Sequence, residues 1–120
     1  MLISEIVAEE NDFVALRRQL HSRPELGYEE HETSDLVARL LGDWGYTVHR
    51  GLGGTGVVGT LTAGTGTRRI GIRADMDALP ILEETGLAYA SAVPGKMHAC
   101  GHDGHTVMLL AAARHLARSR

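Results

Sequence analysis

The run Val107-Met108-Leu109-Leu110-Ala111-Ala112-Ala113 is apolar on every side of a helix. A helix of that kind must be covered from several directions, which only a layered domain can do. The spacing predicts that it starts near Asp103 or Gly104 and ends near Ala117. The rest of the chain therefore has to supply the layers around it.

Upstream segments offer suitable faces. Ile3, Ile6 and Val7, then Phe13, Leu16 and Leu20, recur at spacings of three and four and predict one helix. Pro24 ends it, since a proline disfavours helical geometry in the residue before it. A second helix is predicted over Glu30 to Trp44, with Leu36, Val37, Leu40, Leu41 and Trp44 on one side and Gly45 as its cap. Tyr46 to His49, Gly56 to Thr62 and Arg69 to Ala74 read as strands, with Gly64-Thr65-Gly66 turning between the last two. Residues 81–97 read as loop with a weakly extended patch at Leu87-Ala88-Tyr89. Helices, strands and a buried helix together predict a layered α/β domain. Aromatic residues are only 4%, so its core must be built from Leu, Val, Ile and Ala.

Composition narrows the function. A formal charge of -3 carries no electrostatic footprint for nucleic acid and no polybasic membrane patch. The longest apolar run is too short to span a bilayer. The opening MLISEIVAEENDF lacks the basic start of a secretory signal, so a cytoplasmic location is expected. A single cysteine excludes an internal disulfide.

The densest chemistry is Met97-His98-Ala99-Cys100-Gly101-His102-Asp103-Gly104-His105. Thiolate and imidazole are ligands that zinc and its neighbours prefer. Cys100 and His102 would face the same way in an extended segment, and Gly101 lets the backbone bend between them. Asp103 suits a helix cap or a hydrogen bond to a ligand imidazole. The alternative is a surface loop holding histidines beside a buried thiol.

A second group lies at Arg73-Ala74-Asp75-Met76-Asp77-Ala78-Leu79-Pro80. Asp75 and Asp77 would emerge on one face at the carboxyl end of a strand, with Arg73 on that face and Met76 pointing away. Close carboxylates repel unless a cation stands between them. Spacing alone equally allows a strand-end turn in which Asp77 bonds local backbone. The stretch His21 to Glu30 reads only as a helix-to-helix connection.

Two motifs are decoys. Gly54-Thr55-Gly56-Val57-Val58-Gly59 matches a dinucleotide fingerprint, but a strand and a turn follow it instead of a helix. Cys100 has no partner in a C-x-x-C pair, which argues against a redox thiol.

Taken in order, RRQLHSRPELGYEEHET, GIRADMDALPI and MHACGHDGHTVMLLAAA resemble one family from about Leu16 to Ala113. It is the metal-dependent amidohydrolases of the aminoacylase/carboxypeptidase type, which include hippurate hydrolase, N-acyl-amino-acid amidohydrolase and plant auxin-conjugate hydrolases. The resemblance implies that residues 1–120 form the N-terminal portion of an α/β/α sandwich catalytic domain, without the smaller lid domain that mediates dimers. It implies hydrolysis of N-acyl amino acids to a carboxylic acid and an amino acid. Two divalent metal ions would serve, zinc or manganese, with cobalt or nickel as alternatives. Cys100 and His102 map onto two metal ligands, and Asp77 onto an aspartate that orients a ligand and belongs to the catalytic apparatus. Asp75 is not taken as a ligand, because Cys100 and His102 replace the histidine that more distant relatives carry there. The family's general-base glutamate, a glutamate ligand and two further histidines follow the Cys-Gly-His segment. This chain is thus expected to be the front of a larger enzyme, homo-oligomeric when complete, and inactive alone. A non-catalytic metal-binding or interaction module is the other expectation.

Overall fold

The computed structural model describes residues 2–120. Six elements follow in order: α1 (Ser4–Ala8), α2 (Glu10–Ser22), α3 (His31–Asp43), β1 (Thr47–Leu52), β2 (Gly56–Thr60) and α4 (His102–Ser119). Among the described residues, no helix is long and apolar enough to cross a membrane.

The single N-terminal helix expected from periodicity is two helices that meet at Glu9. Its backbone leaves helical geometry there, at φ -107° and ψ 12°. The break lets Glu9 reach α4, where its carboxylate pairs with Arg114 at 2.6 Å and also with Arg118. Hydrophobic spacing cannot reveal such a kink, because the apolar face continues through it.

α4 is the centre of the core, as its composition demanded. Val107 and Ala111 pack with Phe13 and Leu20 of α2, and Ile6 and Leu36 close over them. Leu110, only 2% exposed, packs with Ala113 and Leu41, flanked by Trp44, Tyr46, Val48 and Val57. The cover is one-sided, however. Met108 and Leu116, on the other face, are 65% and 45% exposed. The expected burial on all sides is therefore met only on the side that faces the other helices and the β1–β2 hairpin.

α3 stops as predicted. Gly45, at φ +91°, and Tyr46 donate their backbone N–H groups to Gly42 O and Leu41 O, at 3.0 Å each. That pairing closes a helix end and needs a residue able to hold a positive φ, the role of glycine. The opposite end of α3 is capped from upstream. The Glu25 carboxylate accepts the Glu32 N–H at 2.9 Å, the Thr33 N–H at 2.7 Å and the Thr33 hydroxyl at 2.6 Å. An anion there satisfies orphan N–H groups and suits the positive end of the helix dipole.

β1 and β2 form an antiparallel hairpin, Thr47 opposite Thr60 and Arg50 opposite Val57, with an irregularity between Arg50 and Leu52. The dinucleotide-like glycines thus lie in a hairpin turn and a strand. The predicted third strand is a correction. Arg69–Ala74 joins no ladder among the described residues, and Ile70 and Ile72 are 87% and 54% exposed. A strand is completed by its neighbours' hydrogen bonds, and the hairpin does not extend to this segment. Leu87–Tyr89 is likewise no strand; the Ala90 N–H turns back to Leu87 O at 3.1 Å. Two isolated bridges organise the loops instead, Leu26 with Ala78 and Leu79 with Met97.

Candidate metal centre

Those two bridges bring the Asp75–Asp77 segment beside the start of α4. Ala78 N–H donates to Glu25 O at 2.8 Å, and Leu79 and Met97 exchange two backbone bonds of 2.9 Å. The carboxylates are thereby delivered to Cys100-Gly101-His102, where Gly101 takes φ +97° as the residue before α4. That backbone would strain any residue with a Cβ.

His102 sits between the two carboxylates. Its Nδ1 is 2.9 Å from Asp77 Oδ1 and its Nε2 is 3.3 Å from Asp75 Oδ2. The two aspartates do share a face, as alternation predicted. Arg73, expected with them, forms no ion pair with either among the described residues. His105 Nδ1 lies 2.7 Å from Asp75 Oδ1, and its ring stacks on His102 with centroids 5.4 Å apart. The hydrogen bond from His105 holds the Asp75 carboxyl below the usual carboxylate range. Ligand atoms of Asp75, His102 and His105 come within 4.8 Å of one another.

The donor set suits a divalent ion. A carboxylate can only accept, so a neutral His102 donates Nδ1–H to Asp77 and presents the Nε2 lone pair. Carboxylate–imidazole–metal arrangements of this kind fix the ring and raise its basicity. Nitrogen and oxygen ligands about 2.0–2.2 Å from a tetrahedral ion stand about 3.3–3.5 Å apart, close to the Nε2–Oδ2 separation seen here. Cys100 is exposed and lies outside the converging group, with its thiol free.

Asp103 does not bond a ligand imidazole. Its carboxylate turns inward, taking the Gly104 N–H at 2.9 Å and meeting His21 Nδ1 at 2.8 Å and Arg17 Nε at 2.9 Å. His98 is 4% exposed, and neither of its ring nitrogens has a partner among the described residues. Burial pushes its pKa below the ordinary imidazole value. Sequence reasoning misses the inward role of His21 and the convergence of His105 on Asp75. Each pairs residues far apart in the chain, and no local spacing marks them.

Residues 71–120 match the family described as Peptidase family M20/M25/M40. The chain is 52% identical over 116 residues to hippurate hydrolase of Campylobacter jejuni, covering 97% of this chain and 30% of that protein. It is 50% identical over 113 residues to an IAA-amino acid hydrolase of Arabidopsis thaliana, covering 90% of this chain and 26% of that one. Its backbone superposes on the YXEP protein of Bacillus subtilis, a dinuclear metal-binding peptidase from the M20 family. The TM-score is 0.88 at 40% identity, over 94% of this chain and 32% of that one. The chain thus spans less than a third of the length of these relatives.

Proposed function

From a chain whose sequence and backbone match the N-terminal part of metal-dependent amidohydrolases of the M20 type, we propose the following activity. The protein takes part in metal-dependent hydrolysis of N-acyl amino acids, releasing a carboxylic acid and an amino acid. The observation that carries the reading is His102 held through Nδ1 by Asp77, with Nε2 turned to Asp75. The names of the relatives, which act on hippurate and on IAA-amino acids, point to small N-acyl amino acids. The reading includes two divalent ions, zinc or manganese, a cytoplasmic setting and a homo-oligomer.

In this reading Cys100, as thiolate, and His102, through Nε2, hold metal. When bound, the ions supply Lewis acidity and a water of lowered pKa. Asp77 keeps His102 in one tautomer and one orientation. Asp75 adds negative charge beside the same nitrogen, and His105 donates a hydrogen bond that keeps Asp75 ionised and in place. By the family pattern the base that takes the proton of water is a glutamate outside residues 1–120, so this chain alone is expected to turn over nothing.

Calorimetric titration of the chain with zinc and with manganese, beside an assay on hippurate and acetyl-amino acids, tests the reading. Metal binding without turnover is expected. Absence of binding overturns the metal assignment. Metal-dependent turnover by residues 1–120 overturns the placement of the base outside them.

A further inference from the structure

The last turn of α2 and the connection that follows it touch the residues next to both members of the Asp77–His102 pair. Glu25 O takes the N–H of Ala78, the residue after Asp77, at 2.8 Å. Four residues earlier, the ring of His21 meets Asp103, the residue after His102, at 2.8 Å. We propose that His21 is a positioning residue, held as an imidazolium between Asp103 and Glu83, which through Asp103 sets the aim of His102.

The geometry is what points to that charge state. His21 Nδ1 faces Asp103 Oδ2 at 2.8 Å and Nε2 faces Glu83 Oε1 at 2.9 Å. Both carboxylates can only accept, so both ring nitrogens must donate, and only the doubly protonated ring does so. A neutral ring would set one nitrogen lone pair against a buried carboxylate with water excluded, and an unmade buried bond is costly. The side chains of His21, Asp103 and Glu83 are 4%, 0% and 3% exposed.

The group is complete. Arg17 Nε closes on Asp103 Oδ2 at 2.9 Å, so two cations face two carboxylates. Asp103 Oδ1 takes the Gly104 N–H at 2.9 Å, and Glu83 Oε1 takes the Ser91 N–H at 3.0 Å. The remaining rings around His21 are Tyr89, edge-on at 5.6 Å, and His98 at 6.5 Å. A satisfied buried network of this kind fixes one arrangement of the elements it joins. Here it joins α2, the loop of Glu83 and the first turn of α4. Asp103 stands next to His102 in that turn, so holding one carboxylate inward fixes the direction in which the neighbouring imidazole leaves the helix.

The test uses the 120-residue chain, whose seven histidines make a tractable set. Long-range proton–nitrogen spectra of the labelled chain at neutral pH should show both His21 nitrogens protonated and His102 as a single Nδ1–H tautomer. One unprotonated nitrogen on His21 overturns the proposal. His21→Gln, with a backbone spectrum that stays dispersed, should lower zinc affinity about 10–100-fold and mix the His102 tautomers. Arg18→Gln, on the exposed side of α2, should change neither. Wild-type affinity and an unchanged His102 signal in His21→Gln overturn the proposal. Should His21→Gln fail to fold, Glu83→Gln decides the matter: His21 should lose its second proton, and an unchanged imidazolium overturns the proposal. The affinity arm rests on the metal-holding role of His102 proposed above. A wild-type chain that binds no zinc defeats that role, and the ring spectra still test His21.

Discussion

Asp77 Oδ1 lies 2.9 Å from His102 Nδ1, a hydrogen bond that closes across 25 residues of chain. It fixes which nitrogen of His102 faces outward. Asp77→Ala should therefore lower zinc affinity about 10–100-fold with little change in the urea midpoint. Calorimetry beside a denaturant series checks both halves. An equal affinity would mean that the aspartate does not prepare the ring.

Cys100 and His105 can be ranked against each other. A thiolate ligand contributes a strong bond to zinc, whereas His105 in this structure is committed to Asp75 through Nδ1 at 2.7 Å. Cys100→Ala is expected to lower zinc affinity more than His105→Ala. Cobalt substitution provides a second readout, since a thiolate ligand gives a charge-transfer band that Cys100→Ala should abolish. The reverse ranking would move the metal toward the Asp75–His102–His105 group.

The one-sided burial of α4 predicts two very different substitutions. Leu110→Ala should destabilise the chain by about 2–5 kcal/mol, because it leaves a cavity among Leu41, Ala113 and their neighbours. Met108→Gln, two positions earlier on the open face, should change stability by less than about 0.5 kcal/mol. Urea melts of the two variants check the contrast, and equal losses would contradict the packing described.

Acid should weaken the fold in two stages when a chelator keeps metal away. Burial holds His98 below the ordinary imidazole range. Its stabilising share is full above the unfolded value, about 6.5, and is lost as pH falls from there toward the folded value. Burial pushes Asp103 and Glu83 upward, but their hydrogen bonds and neighbouring cations outweigh it and leave both below the usual carboxylate range. Their share is full above about 4 and is lost as pH falls through the lowered folded values. His98→Asn should remove the first stage of decline and Asp103→Asn should shrink the second. Profiles of urea midpoint against pH that run parallel to wild type would contradict the assignments.

Glu25 offers a purely structural contrast to these. Its carboxylate holds the first turn of α3 through Glu32 and Thr33. Glu25→Ala should cost about 0.5–2 kcal/mol, in the range of a lost helix cap, while zinc affinity stays within about twofold of wild type. A large loss of affinity at unchanged stability would show that the cap reaches the metal centre.

Elements with a strong local pattern are legible in the sequence. The faces of α2 and α3 follow from apolar spacing, whereas the open face of α4 does not, and Gly45 marks the end of α3 through its freedom at positive φ. The pairing of Asp75 with Asp77 on one face follows from strand alternation. Arg69–Ala74 misleads because β-branched content reports a liking for extended backbone but says nothing about the neighbour that must supply hydrogen bonds. The break at Glu9 escapes because the partners Glu9 meets there, Arg114 and Arg118, lie over a hundred positions away. His21 passes for part of a connector for the same reason. Its partners Asp103 and Glu83 are 82 and 62 positions downstream, and neither separation leaves a periodic trace.

The 82-residue span between His21 and Asp103 also bears on the order of events during synthesis. Closing a loop of that length costs entropy before any contact compensates for it, and both partners must exist before it can close. On a ribosome, α3 can pack against the β1–β2 hairpin while the later sequence is still inside the exit tunnel, but His102 has no fixed direction until α4 has emerged. Metal added during translation would meet an unassembled centre, with Cys100 available as a lone thiol. In the proposed metal-binding reading, loading would therefore follow the emergence of α4.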